Sequence, residues 1–521
     1  MDVTGRESDP GPPFESILFE AGDATPVPAA APPDCFGDLH LDEIVAAITA
    51  GREPYDLAGY FAFPLTSVTT IEYRHAVFRD LEDPPIMRSI QSFADGMRQM
   101  RERLARAAKS RYRYEQERWF LDAAACYRSA VETLSHDLAA TPPRSRGLRA
   151  FHAFLATYLR STRFNDLAQS TDAVTASLDS IVYRLHIDGG RVRISRFDAE
   201  PDYGADVLDT FDRFKQGAVE AYAFRATAGP DLDHVEAAIL GRVALLYPEV
   251  FAELDAYAAG QADYLDATIA RFDREVQFYV AYLEHLPGLR RQGLALCYPE
   301  VSDRSKVIRV KGAFDLALAG QPPADREPIV ANDVRLEGDE RILVISGPNQ
   351  GGKTTYARMV GQLHHLARVG CLVPGSEARV PLVDRIFTHF EREEDLRDQS
   401  GKLEDDLRRI RRILELATPR SLLVMNESFA STTLQDALFL SREILQAVIA
   451  CDLLCVTVTF LDELASLGPT TVSLVSTVDP TDPARRTFEI VRRPADGLAY
   501  ALALAEKHHL TYAGVKARLD R

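Results

Sequence analysis

A run of branched apolar residues, Arg341-Ile-Leu-Val-Ile-Ser346, passes without a break into Gly347-Pro-Asn-Gln-Gly-Gly352-Lys353-Thr354-Thr355, and a helix-forming stretch follows to Val369. A strand that empties into a loop this rich in glycine leaves few folds open. The spacing G-x-x-x-x-G-K-T in that context is a phosphate-binding P-loop, and the strand and helix on either side disfavour an ordinary strand-turn-helix. Glycines at 347, 351 and 352 let backbone N–H groups turn inward around the β- and γ-phosphates, where a Cβ would crowd the anion. Pro348, Asn349 and Gln350 complete the loop. Lys353 adds a point charge, Thr354 offers a hydroxyl to Mg²⁺, Thr355 sits beside it, and the helix presents its positive end. ATP and Mg²⁺ are therefore the expected ligands.

The chain has 521 residues, more than one hydrophobic core usually organises, so several domains are expected. A formal net charge of -17 argues against a generally basic, nucleic-acid-coating surface, so any DNA contact must be local. Cysteines at 35, 126, 297, 371, 451 and 455 show neither zinc spacing nor a disulfide framework. Cys451 and Cys455 enter an apolar run and read as a buried pair of small side chains. Reduced cysteines fit a cytoplasmic protein. No apolar run reaches membrane-spanning length, so no membrane association is expected.

Residues 1–35, with Asp9-Pro-Gly-Pro-Pro13 and several further prolines, read as a disordered tail. Residues 36–290 read as a helical body. From Met87 to Leu138, one or two long helices are expected, with Met87, Ile90, Phe93, Met97, Met100, Leu104 and Ala107 on one stripe. The arginines between 98 and 113 alternate with glutamates and read as a solvated face. Near residues 182–214 the pattern changes to the alternation Val182-Tyr-Arg-Leu-His-Ile, with an Asp-Gly-Gly turn, which predicts a small β insertion. Residues 291–521 complete an α/β nucleotide-binding domain. His364-His365 and His508-His509 read as structural or solvent-facing rather than metal-binding.

A P-loop becomes a hydrolytic site when a second strand brings acidic groups to metal and water. Ser421-Leu-Leu-Val-Met-Asn426-Glu427 is such a strand, with Glu427 placed to orient the attacking water. Asn426 stands where P-loop proteins usually hold the aspartate that anchors the Mg²⁺ shell; it accepts a hydrogen bond from metal-bound water but brings no charge. Between the two strands, Ser400-Gly401 opens a helix whose buried side is Leu403, Leu407, Ile410, Ile413 or Leu414, and Ala417. Its N–H groups suit a phosphate, although Glu404, Asp405 and Asp406 also suit simple capping.

Together, Gly347 to Tyr356, Val383-Asp-Arg-Ile-Phe-Thr388, Asp395-Leu with the Ser-Gly turn, and Asn426-Glu427 through Thr432-Thr433 to Asp436 resemble the ATPase domain of the MutS family, the DNA mismatch-repair ATPases related to ABC-type ATPases. The fold class implied is an α/β P-loop NTPase domain of ABC/MutS type preceded by a mostly α-helical core and lever domain. Upstream, Ile71-Glu-Tyr-Arg-His-Ala-Val resembles the start of the MutS core, and the insertion near 182–214 a remnant of the clamp. The resemblance implies a homodimer in which Ser400 and Gly401 approach the nucleotide on the partner's P-loop, an ATP-driven clamp on mismatched or branched DNA, and a repair partner protein. It assigns Lys353 and Glu427 as catalytic and Thr354 and Asn426 to the metal.

The chain departs from that pattern in four ways. The stretch before residue 36 is too short for the mismatch-reading domains, so independent mispair recognition is not expected. Asn426 replaces the aspartate, Ser428-Phe-Ala-Ser replaces a glycine- and arginine-containing loop, and Phe460 falls where a histidine senses the γ-phosphate. Slow or partner-dependent hydrolysis is expected. The alternative is a degenerate scaffold that dimerises on ATP with little turnover.

Overall fold

Ile342-Leu-Val-Ile-Ser is buried along its whole length, as a strand covered on both faces must be. It is the central strand of a six-stranded sheet. The strands are β1 (Ile342–Ser346), β2 (Ile386–Phe390), β3 (Leu422–Asn426), β4 (Leu454–Val458), β5 (Thr471–Val478) and β6 (Arg486–Arg492). The helices α1 (Lys353–Arg368), α2 (Lys402–Leu416) and α3 (Leu434–Ala450) connect them. The spatial order is β2-β3-β4-β1-β5-β6, parallel except for the β5–β6 pair. From β1 the chain runs out to the far edge, returns through β3 and β4, and passes to the other side as β5. Ligands of open α/β sheets gather outside the carboxyl ends of strands at such a reversal, and there the glycine-rich loop lies.

The computed structural model describes residues 14–20, 33–188, 191–197, 232–322, 327–391, 401–429, 432–482 and 485–495. Their contacts divide into two compact units that do not follow chain order. One gathers residues 1–83, 144–148 and 274–521, and the other residues 84–143 and 149–273. The stretch 36–290, read from the sequence as one body, is thus shared between them.

In the first unit, Ile342, Val344, Leu423, Met425 and Cys455 of the sheet pack against Ile444, Leu445 and Val448 of α3 and Ile410 of α2. Leu403, Leu407, Ile413 and Leu414 line the same side of α2, so its apolar stripe decides which face turns inward. Burying Ile410 alone contributes about 1.5–3 kcal/mol. The exposed cysteine corrects one expectation. Cys455 is buried in β4, but Cys451 is exposed because it lies just past the last turn of α3, where the chain reverses.

Residues 14–20 correct the expectation of a tail running unbroken to residue 35. Ile17, Leu18 and Phe19 are buried, and the backbone around them is held by side chains far along the chain. The Ser16 hydroxyl and the Ile17 N–H donate to Glu275 Oε2 at 2.9 and 3.0 Å, Tyr73 donates to Ser16 O, and Tyr279 donates to Ile17 O at 2.6 Å. Arg74, also buried, donates from Nε to Leu18 O at 2.9 Å and from Nη1 to Val369 O at 2.7 Å, at the carboxyl end of α1. A cation at that end also complements the helix dipole.

The second unit is built on the antiparallel helices Pro84–Lys109 and Arg113–Ala140. Ser110 separates them by accepting from Tyr112 N. Gly96 permits their close approach, since a Cβ there would sit 2.7 Å from Ala130 Cβ. The arginine-bearing face is partly engaged: Arg101 pairs with buried Asp273, and Arg106 lies 4.9 Å over the Trp119 ring. Tyr183–Asp188 and Arg191–Arg196 pair as an antiparallel ribbon. Among the described residues, no helix is long and apolar enough to cross a membrane.

Candidate phosphate-binding site

The turn out of β1 is made by residues with little room around them. Gly347 has φ +116°, and a Cβ there would meet Ser476 O at 2.9 Å. A Cβ on Gly351 would lie 2.2 Å from Ser476 Oγ, whose hydroxyl donates to Gly351 O at 2.6 Å. Gly352, at φ +87°, caps α1. Gln350 takes φ +59° without being glycine, a conformation that costs about 1–2 kcal/mol and is held by its surroundings.

Lys353 opens α1 and is almost fully buried. Its ammonium donates to Gly347 O at 2.9 Å, Pro348 O at 3.0 Å and Asn349 Oδ1 at 3.3 Å, and lies 4.8 Å from the centroid of the Phe460 ring. Burial lowers its pKa from the usual lysine range; the Glu427 carboxylate opposes that and the Arg486 guanidinium adds to it. The loop thus satisfies the ammonium by itself, with weak acceptors that an anion would outcompete.

Thr354, on the next residue, donates from Oγ1 to Asn426 Oδ1 at 2.8 Å, joining the start of α1 to the end of β3. Glu427 follows at φ +51°, its N–H donating to Val458 O of β4 at 3.0 Å. Loop residues 349–355 and Glu427 line one cavity of about 460 Å³. Phe314, Ile329, Val330 and Phe488 supply apolar lining, beside Asp315, Glu327 and Asn332. The cavity combines backbone N–H groups and one ammonium with the carboxyl groups of Glu427, Asp315 and Glu327 and with apolar side chains able to pack against a flat ring. Side by side, the Thr354 hydroxyl and the Asn426 amide oxygen are hard, neutral oxygen donors. They fit a Mg²⁺ that takes most of its shell from phosphate and water.

Thus Pro348, Asn349, Gln350, Gly351, Gly352, Lys353, Thr354, Thr355, Asn426 and Glu427 come together around the end of β1. Gly401 caps α2 and is not among the residues lining this cavity. Ser400 and the Asp395-Leu motif lie outside the described residues, as does the His508-His509 pair. His364 and His365 are both buried: His364 Nδ1 contacts Val360 O and His365 Nε2 contacts Phe61 O, and burial holds each pKa near about 4. Ser476 and Phe488 were not singled out in the sequence. Neither stands in a motif, and both reach the loop only because β5 pairs with β1 and β6 with β5.

Comparison with known proteins bears on this same region. Residues 343–486 match the family MutS domain V. Over this stretch the chain is similar to the MutS family. Among similar proteins, the DNA mismatch repair protein MutS of Ruminiclostridium cellulolyticum is 31% identical over 224 residues, which is 42% of this chain and 25% of that protein. Its counterpart in Chlorobaculum tepidum is 32% identical over 199 residues, 37% of this chain and 21% of that one. The counterpart in Caldicellulosiruptor saccharolyticus is 35% identical over 120 residues, 23% of this chain and 14% of that one. The match to these MutS relatives therefore spans a quarter of their length or less.

Proposed function

We propose that this chain is a MutS-family protein that binds ATP with Mg²⁺ at the β1–α1 loop and hydrolyses it slowly, as a DNA-associated homodimer. The observation that carries this reading is the convergence of Lys353, the loop backbone and Glu427 on one cavity that Phe314, Ile329, Val330 and Phe488 also line. On this reading residues 291–521 are an α/β P-loop NTPase domain of ABC/MutS type. Residues 36–290 correspond to the core and lever.

The residue roles follow from the chemistry of phosphoryl transfer. As the polyphosphate enters, Lys353 exchanges Gly347 O and Pro348 O for phosphate oxygens, a stronger, charge-assisted set of bonds. The backbone N–H groups of residues 350–354 hold the remaining oxygens. Thr354, and Asn426 through a water, would hold Mg²⁺, which when bound neutralises charge on the β- and γ-oxygens. Glu427 accepts a hydrogen bond from the attacking water and aligns it with the γ-phosphorus. The water oxygen bonds to phosphorus, the bond to the β-phosphate oxygen breaks, and ADP leaves with inorganic phosphate. Most of the rate then comes from electrostatic stabilisation of the transferred group. Ser400 and Gly401 would face the nucleotide of a second copy. The relatives are called DNA mismatch repair proteins, and on this reading the interactions are with mismatched or branched DNA and a repair partner protein.

A second reading is favoured by two observations, the neutral Asn426 and the Phe460 ring set against Lys353. In it the protein is a scaffold that closes on ATP with negligible turnover. Phosphate release by the purified chain with MgATP, beside Lys353→Ala and Glu427→Gln, with and without branched or mismatched duplex, tests both. Turnover lost in both variants, with ATP binding kept in Glu427→Gln, supports the hydrolytic reading. ATP-dependent dimerisation without turnover supports the scaffold. Absence of nucleotide binding would sink both.

A further inference from the structure

His389, at the fourth position of β2, is only 1% exposed and lies between Ser428 and α2. Its Nδ1 lies 3.1 Å from Ser428 Oγ, on the residue after Glu427. Its Nε2 lies 3.3 Å from Asp406 Oδ1 of α2, within ion-pair distance but outside hydrogen-bond alignment, so this buried nitrogen has no made bond. A carboxylate only accepts, so an Nε2–H is the group that suits the Asp406 side of the ring. In that tautomer Nδ1 accepts from the Ser428 hydroxyl.

Ser428 stands between two strained residues. Glu427 has φ +51° and Phe429 φ +64°, a left-handed pair that persists only where the surroundings over-determine it. Phe429 is held by burial, at 2% exposure. Ser428, next in sequence to Glu427, meets His389 through its hydroxyl, and His389 faces Asp406 of α2.

We infer that Asp406, His389 and Ser428 form a positioning relay. A small movement of α2 completes the slack Asp406–His389 hydrogen bond, fixes the ring, and through Ser428 sets Glu427 for the water. The relay assigns regulation of the site to α2 and rests on the nucleotide reading above. His389 and Ser428 are positioning residues, not groups that touch the nucleotide.

Hydrogen–deuterium exchange of the full chain with and without MgATP reads both ends of the relay, and phosphate release reads its effect. In the unsubstituted protein MgATP is expected to slow exchange at 347–360 and at 402–410. In Ser428→Ala and Asp406→Asn the slowing at 347–360 persists, while 402–410 exchanges roughly fivefold faster with MgATP than in the unsubstituted protein, the size of one lost hydrogen bond. Ser428→Thr, which keeps the hydroxyl, restores it. In the two impaired variants kcat for any phosphate release falls with KM unchanged.

An undiminished response at 402–410 in both impaired variants overturns the relay, as does an unsubstituted protein that responds at 347–360 but not at 402–410. Equal loss at both segments, with a lowered Tm, also overturns it by reducing the three residues to structural support. No response at 347–360 in the unsubstituted protein overturns the nucleotide reading itself, and the relay with it.

Discussion

Replacing Gly351 by alanine probes how tightly the loop is set against β5. The new methyl would stand 2.2 Å from Ser476 Oγ, 3.0 Å from Pro348 O and 3.2 Å from Ser476 Cβ. Ser476 is fully buried and its hydroxyl is committed to Gly351 O, so it cannot swing clear without giving up that bond. Overpacking of this kind costs about 1–3 kcal/mol, and the lost hydrogen bond about 1 kcal/mol more, roughly 2–4 kcal/mol together. If the loop relieves the clash by moving, its N–H groups leave the phosphate positions and the cost appears in binding. Taken wholly there, it weakens nucleotide affinity by roughly 30- to several-hundred-fold.

Urea unfolding and calorimetric titration with MgATP, run on Gly351→Ala, Ser476→Ala and the double variant, separate the contributions. Ser476→Ala alone should cost about 1 kcal/mol. The double variant removes the shortest contact and leaves only the two milder ones. It should therefore be at least about 1 kcal/mol better than the sum of the singles, in stability and binding combined. Strict additivity, or a Gly351→Ala protein that binds MgATP as the unsubstituted one does, would refute the packing argument.

Phe460→Ala removes the ring that Lys353 must leave to reach phosphate; MgATP should bind about two- to fivefold more tightly, in line with an exposed cation–π contact, and unchanged or weaker binding counts against it. Arg74→Leu strands the carbonyls of Leu18 and Val369 in a buried site and should cost about 3 kcal/mol in urea unfolding; a loss below about 1 kcal/mol would show that neither carbonyl depended on it. Burial holds His75, His364 and His365 near about 4, below their unfolded value of 6.5, so their contribution to stability is present above pH 6.5 and lost as pH falls through about 4. Asp273, raised by burial to about 6 despite Arg101, runs the other way, its contribution present below pH 3.8 and lost as pH rises through about 6. Because the histidines lie in one unit and Asp273 in the other, unfolding of the first unit followed between pH 6.5 and 4 should show falling stability, and a flat profile would mean that the imidazoles reach water.

The parts of the site legible in the sequence are those written in consecutive residues. The strand, loop and helix from 342 to 368 declare themselves because the same short segment supplies the apolar run, the glycines and the cation. The buried side of α2 is legible for a similar reason, since a helical stripe of Leu403, Leu407 and Ile410 needs no partner to be seen. Ser476, Phe488 and His389 were not visible as site residues. Their significance arises from strand order, which sets β5 beside the loop and β2 beside β3, and no local pattern encodes that. Residues 14–20 escaped for an allied reason: a short apolar run among prolines resembles a tail until Glu275, Tyr279 and Arg74 are known to face it. Cys451 shows the limit of hydropathy at an element's end, where one residue past the last turn decides between core and solvent.

The docking of residues 14–20 also sets a schedule for synthesis. Ser16 leaves the ribosome before its acceptor Glu275, 259 positions later, has been made. At about 5–20 residues per second the interval is roughly 13 to 50 s. During that time Ile17, Leu18 and Phe19 have no pocket, whereas every residue of the unit formed by 84–143 and 149–273 has been made before Glu275 emerges. The nascent chain therefore carries this apolar segment uncovered through about half of the synthesis of these 521 residues, and a holdase that recognises short apolar peptides is the kind of helper whose loss would lower the yield of this protein first.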